Sequence, residues 1–290
     1  MHKTAAIIVT YNPILQYFKT TLNSIINQIS LCVIIDNGNT KFESIYHENA
    51  IVINLGKNYG IAYAQNRGIE IARQHKVDFI LLSDQDTIYP DNYVGKLLSF
   101  YEVYSNKNDI GALVPRFYDK NKMSKTRVAI GKFTYIVPED GKIYKVAHAV
   151  SSGTFIPVNS LEKIGVMLEK LFIDWVDFEW CCRTTNMGYE IISVPQVSIE
   201  HMMGDTTRKV GNKTIALRSR VRYYYMIRNG IYLMGCKGIL KTAEKFCFGI
   251  DLLGKAIGIF LIEKNPLPLL VKAIHDGITG RMYEIRWNRK

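Results

Sequence analysis

The chain lacks the marks of several protein classes. Its five cysteines among 290 residues form no CxxC pair, which argues against both a disulfide framework and a cysteine zinc knuckle. The most apolar stretch, residues 246–262, contains Asp251 and Lys255 and is shorter than the roughly 20 apolar residues that span a bilayer. We interpret it as an interfacial or packed amphipathic helix. The first apolar run, residues 5–9, is too short for the core of a signal peptide, so we expect a buried first strand and a cytoplasmic protein.

Acidic residues are scarce in the last part of the chain. Residues 208–290 carry 17 Lys and Arg but only 5 Asp and Glu, whereas residues 1–207 carry 20 and 21. This excess of positive charge predicts an anionic partner. Because no nucleic-acid-binding fingerprint accompanies it, we favour an anionic membrane surface and expect no nucleic acid. The alternative is that this region packs against the rest of the chain or against a second subunit in a homo-oligomer.

Short β-branched runs alternate with amphipathic stretches over the first 110 residues. The runs are typical of buried parallel strands, and the stretches place apolar residues three and four positions apart, as on one face of a helix. We interpret residues 4–86 as a βαβαβαβ series, which predicts an α/β fold with a doubly wound, mainly parallel sheet. We place this catalytic domain at residues 1–212 and a basic helical region at residues 213–290.

Two carboxylates close the fourth predicted strand. Asp84 and Asp86 flank Gln85 directly after the apolar run FILLS. Carboxylates at this spacing can hold a hard divalent cation, which in turn neutralises a diphosphate. The ends of parallel strands are also where α/β folds bind ligands. The alternative is a solvated acidic turn without a ligand.

Further polar candidates occur where predicted strands end and helices begin. Asp36 ends the second strand, and ordinary turn chemistry is the alternative there. Asn58 and Gly60 open a helix, where small residues let the backbone approach a ligand. The glycine pattern GxGxxG is absent, which disfavours a dinucleotide-binding Rossmann domain.

Three candidates lie in the second half of the chain. Asp177 lies among aromatic residues in DWVDFEW, where reduced hydration raises the pKa of a carboxyl toward values that suit a general base. His201 follows a predicted strand, and Arg228 lies in RVRYYYMIRN, where arginine can bind phosphate and tyrosine can stack on a sugar. The structural alternatives are a rim carboxylate, a structural histidine and solvated arginines on a core-facing helix.

These signals occur in a particular order: TYNP, IDNG, NYGIAYAQNRG, SDQD, SSGTF, DWVDFEW, EHMMGD and RYYYMIRN. In this order they resemble the inverting family 2 glycosyltransferases, and within them the bacterial rhamnosyltransferases of O-antigen and other surface-polysaccharide assembly. The resemblance covers residues 4–230. It implies a GT-A-like nucleotide-diphospho-sugar transferase fold, a nucleotide-sugar donor and a divalent cation, Mg²⁺ or Mn²⁺.

The resemblance also implies a role for each matching position. Asp177 matches the general base, Asp86 matches the metal ligand, and His201 matches an additional contact to the metal or diphosphate. The residues that would bind the nucleotide sugar are Thr10, Tyr11, Asn12, Asp36, Asn58, Gly60, Asn66, Asp84, Gly153 and Arg228. Residues 283–287, YEIRW, depart from the QxxRW motif of processive family members, which favours a single addition over polymerisation.

The implied function is inverting transfer of L-rhamnose from dTDP-rhamnose to a polyprenyl-diphosphate-linked saccharide, at the inner face of the cell's inner membrane. The first alternative keeps the fold and mechanism but uses a UDP-sugar donor. A sugar nucleotidyltransferase is a second alternative, although it needs a glycine-rich first turn that TYNP does not provide. A non-catalytic lipid- or nucleic-acid-binding protein is the third alternative, but it does not explain the ordered acidic residues.

Overall fold

The computed structural model describes residues 2–40, 42, 47–119, 124–201, 207–210, 213–216 and 218–285. The strands are β1 (Thr4–Thr10), β2 (Leu31–Asp36), β3 (Ala50–Asn54), β4 (Phe79–Asp84), β5 (Ile110–Asp119), β6 (Ser124–Lys125), β7 (Val128–Ala129), β8 (Tyr135–Ile136), β9 (Tyr144–Val146), β10 (Phe155–Pro157), β11 (Glu190–His201), β12 (Thr207–Val210) and β13 (Lys213–Ala216). The helices are α1 (Leu15–Ile25), α2 (Ile61–Gln74), α3 (Tyr93–Val103), α4 (Val158–Ile164), α5 (Val176–Asn186), α6 (Arg220–Gly235), α7 (Thr242–Ile262) and α8 (Leu267–Thr279).

The central sheet is mainly parallel, as predicted. Its strand order is β3-β2-β1-β4-β10-β5-β11-β9, with β6 pairing on β5. Strands β3, β2, β1 and β4 run parallel, β11 runs parallel to β5, and β10 and β9 are antiparallel to their neighbours. The predicted βαβαβαβ alternation is interrupted between β2 and β3, because the described residues of that connection contain no helix.

The sheet lies between two hydrophobic layers. Every residue of β1 and β2 is buried, which explains why these strands read as continuous apolar runs rather than alternating ones. Side chains on one face pack with α2, α4 and α5, and side chains on the other face pack with α1 and α3. Both faces are therefore covered, and ligands have access to the sheet at the ends of its strands.

The short strand β10 shapes one of those ends. It lies antiparallel between β4 and β5, with Phe155 opposite Leu81. Residues 151–153, which precede β10, consequently lie beside the carboxyl end of β4. The Gly153 N–H donates to the Leu82 carbonyl at 2.8 Å, and the Asp84 N–H donates to Ser152 Oγ at 3.3 Å.

The three C-terminal helices pack onto the sheet domain. Phe248 of α7 is fully buried, and its ring lies 5.6 Å from that of Phe178 and 4.8 Å from that of Trp175, between centroids. Helix α6 contacts both α7 and α8 and is buried continuously from Tyr223 to Gly230. The basic region thus shares a core with the sheet domain.

The predicted domain boundary between residues 212 and 213 stays a prediction. It lies between strands β12 and β13, which pair with each other, with Val210 opposite Lys213. Among the described residues, no helix is long and apolar enough to cross a membrane.

Candidate active site at the carboxyl edge of the sheet

Three parallel strands bring the predicted site residues of the first half of the chain to one edge. Thr10 of β1 is level with Asp36 of β2, and Val9 is level with Asp84 of β4. Because the carboxyl ends of neighbouring parallel strands meet at one edge, Tyr11, Asn12 and Asp86 follow directly into the same region. The sequence prediction of a shared edge is confirmed by this register.

Asp36 organises the loops around this edge. It is fully buried, and its carboxylate accepts hydrogen bonds from Thr10 Oγ1 at 3.3 Å, from the Thr40 N–H at 2.7 Å and from Asn54 Nδ2 at 3.1 Å. Such bonds keep a buried carboxylate satisfied and fix the loop that follows β2. Tyr11 remains half exposed, so its ring is free to meet a ligand at the mouth of the site.

The loop before α2 is tied to the end of β2. Asn37 Nδ2 donates to Asn58 Oδ1 at 3.1 Å, and the Tyr59 N–H donates to Asn37 Oδ1 at 2.8 Å. Gly60 has φ of 92°, and a Cβ there would lie 2.6 Å from the Phe172 carbonyl oxygen. Only glycine fits this position, because a side chain would suffer both the unfavourable φ and a backbone clash.

The two carboxylates after β4 differ in environment. Asp84 is partly buried, whereas Asp86 is exposed. Burial raises the pKa of Asp84 to about 7, the neighbouring carboxylates of Asp86 and Asp177 add to the rise, and the Arg222 guanidinium opposes it. Asp177 lies near Asp84 although almost 100 residues separate them in sequence, because the Ser151 N–H donates to Asp177 and the adjacent Ser152 Oγ accepts from the Asp84 N–H.

Asp177 lies in the first turn of α5, and its Oδ1 accepts a hydrogen bond from the Phe178 N–H at 2.8 Å. Burial raises the pKa of this carboxyl, and the nearby Asp174 raises it further, whereas backbone hydrogen bonds from Phe178 and Ser151 lower it. A carboxylate whose pKa is raised accepts a proton more readily, which suits a general base.

The loop that leads into α5 has a strained backbone. Phe172, Asp174 and Trp175 have φ values of 67°, 61° and 66°, in the region that residues with a side chain rarely adopt. Such conformations persist only where the surroundings impose them, and they concentrate at functional sites. Asp177 follows this loop by two residues, so its position depends on what holds the loop.

Two buried residues of α6, Arg228 and Asn229, hold the loop that leads into α5. Asn229 Nδ2 contacts the carbonyl oxygens of Leu171, Ile173 and Asp174 at 2.8–3.0 Å. Arg228 donates to Asn229 Oδ1 at 2.8 Å and to the Leu171 carbonyl at 3.0 Å. Asn229 is not among the predicted site residues, and its position beside Arg228 in RVRYYYMIRN is the one sequence signal that points to it.

The structure does not bring the Arg228 side chain to the open edge of the sheet. Its side chain has no exposed surface, and its remaining donors are directed at the carbonyl oxygens of Tyr283 and Lys170. A guanidinium that is buried and bonded in this way has no donor left for a nucleotide sugar. Arg228 instead stabilises the loop before the predicted base.

Asn66 also has a structural task rather than the predicted contact with the nucleotide sugar. Its side chain is buried on α2, where Oδ1 accepts from the Met167 N–H at 2.9 Å. Its Nδ2 donates to the Met167 carbonyl and to Glu169 Oε1, each at 2.9 Å. Both amide hydrogens are thus used within the protein, and Asn66 fixes the chain just before the strained loop.

Gly153 contributes through its backbone. Its φ is 79°, and a Cβ would lie 2.3 Å from Ile199 Cδ1, while its carbonyl accepts from the Tyr93 hydroxyl at 2.7 Å. It therefore shapes the wall beside Asp84 rather than offering a side chain. The backbone of His201 ends β11, but its side chain lies outside the described residues, so the predicted metal contact of His201 stays a prediction.

Two arginines near the start of α6, Arg218 and Arg222, were not among the predicted site residues. Asp174 Oδ1 accepts from Arg218 Nη1 at 2.7 Å and from Arg222 Nη2 at 2.6 Å. Arg222 also lies close enough to Asp84 to lower its pKa. These side chains join the start of α6 to the carboxylates of the sheet edge.

The acidic edge fits a cation by its charge. Burial raises the pKa of Asp84 most, and the carboxylates of Asp86 and Asp177 raise it further; a bound divalent cation would lower it again by favouring the charged form. Among the described side chains, no group of three or more His, Cys, Asp and Glu residues is arranged as a complete metal site. Asp86, which is exposed, is the residue best placed to offer oxygen ligands.

Comparisons with known proteins agree with this geometry. Residues 5–165 match the profile of "Glycosyl transferase family 2". The chain is 32% identical over 288 residues, 95% of each chain, to the "dTDP-rhamnosyl transferase RfbF" of Shigella flexneri. Among solved structures it is similar to S. aureus TarS 1-349 in complex with UDP-GlcNAc, with 16% identity, a TM-score of 0.61 and coverage of 96% of this chain and 81% of TarS.

A second similar structure is GalNAc-T7 with UDP, GalNAc and Mn²⁺, at 14% identity and a TM-score of 0.58, where the match covers 87% of this chain but only 55% of that one. At these identities the structures establish the GT-A-like fold. The family profile covers more than half of the chain, and the bacterial relative matches almost its full length. The protein therefore belongs to glycosyl transferase family 2 and is a glycosyltransferase.

Proposed function

We propose that this enzyme transfers L-rhamnose from dTDP-rhamnose, with inversion, to a lipid-linked saccharide in surface-polysaccharide assembly. The observation that supports the proposal is the closeness of Asp177 to Asp84: the Ser151 N–H donates to the Asp177 carboxylate, and Oγ of the next residue, Ser152, accepts from the Asp84 N–H at 3.3 Å. The full-length similarity to a dTDP-rhamnosyl transferase supports the choice of donor. A polyprenyl diphosphate is the proposed carrier of the acceptor saccharide.

The reaction requires one displacement. An acceptor hydroxyl oxygen attacks the anomeric carbon of the donor sugar from the face opposite the diphosphate, and the bond from that carbon to the diphosphate oxygen breaks. Asp177 takes the proton of the hydroxyl, and dTDP leaves with the bonding electron pair. A single attack from the opposite face inverts the configuration, so no covalent sugar–enzyme intermediate is needed.

A divalent cation, Mg²⁺ or Mn²⁺, is part of the proposal. Asp86, with His201 and with Asp84 nearby, would hold it. When bound, the cation neutralises negative charge that develops on the leaving diphosphate. The two carboxylates at the end of β4 support this role, because carboxylate oxygens are preferred ligands of Mg²⁺ and Mn²⁺.

We also propose that the protein is peripheral at an anionic membrane surface on the cytoplasmic face. Helices α7 and α8 expose an unusual number of large apolar side chains, which we name the α7–α8 apolar face: Phe246, Ile250, Leu253, Ile257, Phe260, Leu261, Leu267, Val271, Ile274 and Ile278. Soluble monomers rarely expose apolar surface on this scale without a partner. Exposed basic residues accompany it: Lys237, Lys241, Lys264 and Arg281. Charge of this sign favours an anionic leaflet.

A panel of sugar-nucleotide donors tests the proposed donor directly. We expect purified enzyme with a lipid-linked acceptor to turn over dTDP-rhamnose at least tenfold faster than UDP- or GDP-sugars. Release of the nucleoside diphosphate measures turnover for every donor with the same assay. A preference for a UDP-sugar would contradict the dTDP-rhamnose proposal and select the alternative donor, and no turnover of any sugar nucleotide would contradict glycosyl transfer itself.

Asp177→Asn should abolish transfer and leave dTDP binding nearly intact. Asparagine keeps the shape but cannot take the proton, so we expect kcat to fall by about 10²–10⁴-fold. In the wild type, kcat should rise with pH through the pKa of Asp177, which is raised above its ordinary value. The exposed Glu70→Gln on α2 serves as the control. Residual activity within tenfold of wild type would remove Asp177 from the base role.

Asp86→Ala should lose both its affinity for a divalent cation and its activity. Wild-type turnover is expected to stop in excess EDTA and to return with Mn²⁺ or Mg²⁺, because an unneutralised diphosphate is a poor leaving group. Calorimetric titration of Mn²⁺ provides a readout independent of turnover. Asp91→Ala, an exposed carboxylate before α3, is the matched control. Full wild-type turnover in EDTA would contradict the metal proposal.

The double variant Leu253→Glu and Ile257→Glu should weaken membrane binding. Flotation with vesicles is expected to show wild type bound to phosphatidylglycerol-rich membranes at low salt, with less bound at high salt, because charge attracts and apolar side chains insert. Val103→Glu, which changes an exposed valine on α3, controls for surface charge. If wild type ignores anionic vesicles and the double variant instead converts a dimer to a monomer in sedimentation, the face binds a second subunit.

A further inference from the structure

Helices α6 and α7 leave an open groove between them, with a volume of about 420 Å³. Its walls are mostly apolar: α6 contributes Tyr223 and Met226, and α7 contributes Gly254, Gly258, Ile259 and Ile262. Tyr223, Met226 and Ile259 are buried and belong to the cluster that joins α6, α7 and α8. The packing of three helices therefore fixes the floor of this groove, which we name the α6–α7 groove.

Two glycines of α7 keep the α6–α7 groove open. Glycine inside a helix is less favourable than alanine, and a closely packed neighbour is a common structural reason for it. Gly230 of α6 has such a neighbour, because a Cβ there would lie 2.7 Å from Leu252. By contrast, a Cβ at Gly254 or at Gly258 would have no described atom within 4 Å. These two glycines leave room that the described part of the chain does not fill.

The α6–α7 groove adjoins the loop that precedes the proposed base. Trp175 Nε1 donates to the Met226 carbonyl at 2.8 Å, and Lys255 Nζ lies 5.4 Å from the centroid of the Trp175 ring. Met226 and Lys255 both line the groove. Since Trp175 precedes Asp177 by two residues, a molecule in the groove lies beside the segment that carries Asp177. The acceptor is the substrate that must reach Asp177, because its hydroxyl gives up the proton.

One side of the groove borders the α7–α8 apolar face. Gly254, Gly258 and Ile262 each follow directly after an exposed apolar residue of that face, namely Leu253, Ile257 and Leu261. Consecutive residues are turned by about 100° around a helix, so the groove runs along the edge of the face. An apolar chain can pass from this face into the groove and remain in contact with apolar surface.

Lys255 brings a positive charge to the groove beside Trp175. It pairs with Asp251, one turn earlier on α7, and the two side chains are 31% and 42% exposed. Exposed ion pairs at this spacing on a helix are weak, so Lys255 can exchange the carboxylate for a phosphate oxygen. Arg218 also lines the groove, but it is bonded to the buried Asp174. We therefore assign no ligand contact to Arg218.

We infer that the α6–α7 groove binds the polyprenyl diphosphate that carries the acceptor saccharide, with isoprenoid units along Gly254 and Gly258 and the diphosphate at Lys255. The inference rests on the proposed function, because that function supplies the carrier. Such a molecule consists of an apolar chain, a diphosphate and a saccharide in sequence. The α7–α8 apolar face, Lys255 and Asp177 follow one another along the enzyme in the same order.

Farnesyl diphosphate, a soluble short-chain member of this class, is the probe. Calorimetry measures its binding to the full chain in saturating dTDP, which occupies the donor site, and compares it with farnesol and dihexanoyl phosphatidylglycerol. We expect wild type to bind farnesyl diphosphate most tightly. Gly258→Leu fills the groove and should weaken this binding about tenfold. Its Tm should not fall, because leucine favours a helix more than glycine does and the Cβ has room. Lys255→Gln should weaken binding of farnesyl diphosphate but not of farnesol.

Gly235→Leu, at the end of α6 and outside the groove, is the matched control. A Cβ there also has no described atom within 4 Å, so binding of farnesyl diphosphate should stay within twofold. Unchanged affinity in Gly258→Leu would overturn the inference. An equal loss in Gly235→Leu would overturn it too, as would displacement of farnesyl diphosphate by dTDP, which indicates the donor site. Equally tight binding of dihexanoyl phosphatidylglycerol would assign the groove to membrane lipid instead.

The binding assay and the donor panel fail separately. If the enzyme turns over dTDP-rhamnose and Gly258→Leu binds farnesyl diphosphate like wild type, the groove assignment is wrong and the proposed function stands. If farnesyl diphosphate binding is lost in Gly258→Leu but no sugar nucleotide is turned over, the groove assignment stands and glycosyl transfer is contradicted.

Discussion

Like charges crowd one edge of the sheet, and the rest of the structure is arranged to hold them there. Asp84 ends β4 and Asp86 follows it, and Asp174 and Asp177 come from the loop and first turn of α5. Burial, with the nearby carboxylates of Asp86 and Asp177, raises the pKa of Asp84 to about 7 against the opposing charge of Arg222. Carboxylates at this edge favour the binding of a cation, and a raised pKa suits Asp177 to its proposed role as proton acceptor.

Helix α6 is the element that makes this crowding stable. Its first turn supplies Arg222 to the acidic edge, and its buried middle supplies Arg228 and Asn229 to the loop before α5. Removing a buried partner of this kind leaves unsatisfied carbonyl groups, which costs about 1–3 kcal/mol for each. One helix therefore provides both electrostatic compensation and the hydrogen bonds that impose positive φ on Phe172, Asp174 and Trp175.

The packing of α6 explains why the chain continues beyond the sheet domain. A helix with consecutive buried residues needs neighbours on several sides, and α7 and α8 are those neighbours. Their inner side chains, among them Phe248 and Leu252, complete the core, while their outer side chains form the α7–α8 apolar face. The layer formed by α6, α7 and α8 thus supports the proposed base, Asp177, on its inner side and forms the proposed membrane contact on its outer side.

The local pattern of the sequence determined much of the fold. The β-branched runs predicted β1, β2 and β4 because strands buried on both faces need apolar residues at every position. Asp84 and Asp86 were predictable for the same reason, since they follow such a run at the edge where ligands bind. The role of Asp177 as a base was proposed from its aromatic neighbours and stays a prediction, whereas the ordered motifs correctly indicated the family.

Tertiary structure decided what the polar residues of the second half do. Arg228 and Arg222 are alike in sequence, with both lying among the tyrosines of RVRYYYMIRN. Six residues on a helix turn them to different surroundings, so that Arg228 is buried against backbone carbonyls and Arg222 faces the acidic edge. Asn66 and Asn229 likewise have tasks set by loops more than 50 residues away. Local sequence specifies a side chain's chemistry, but the partner of that side chain depends on which distant segment the packing brings into contact.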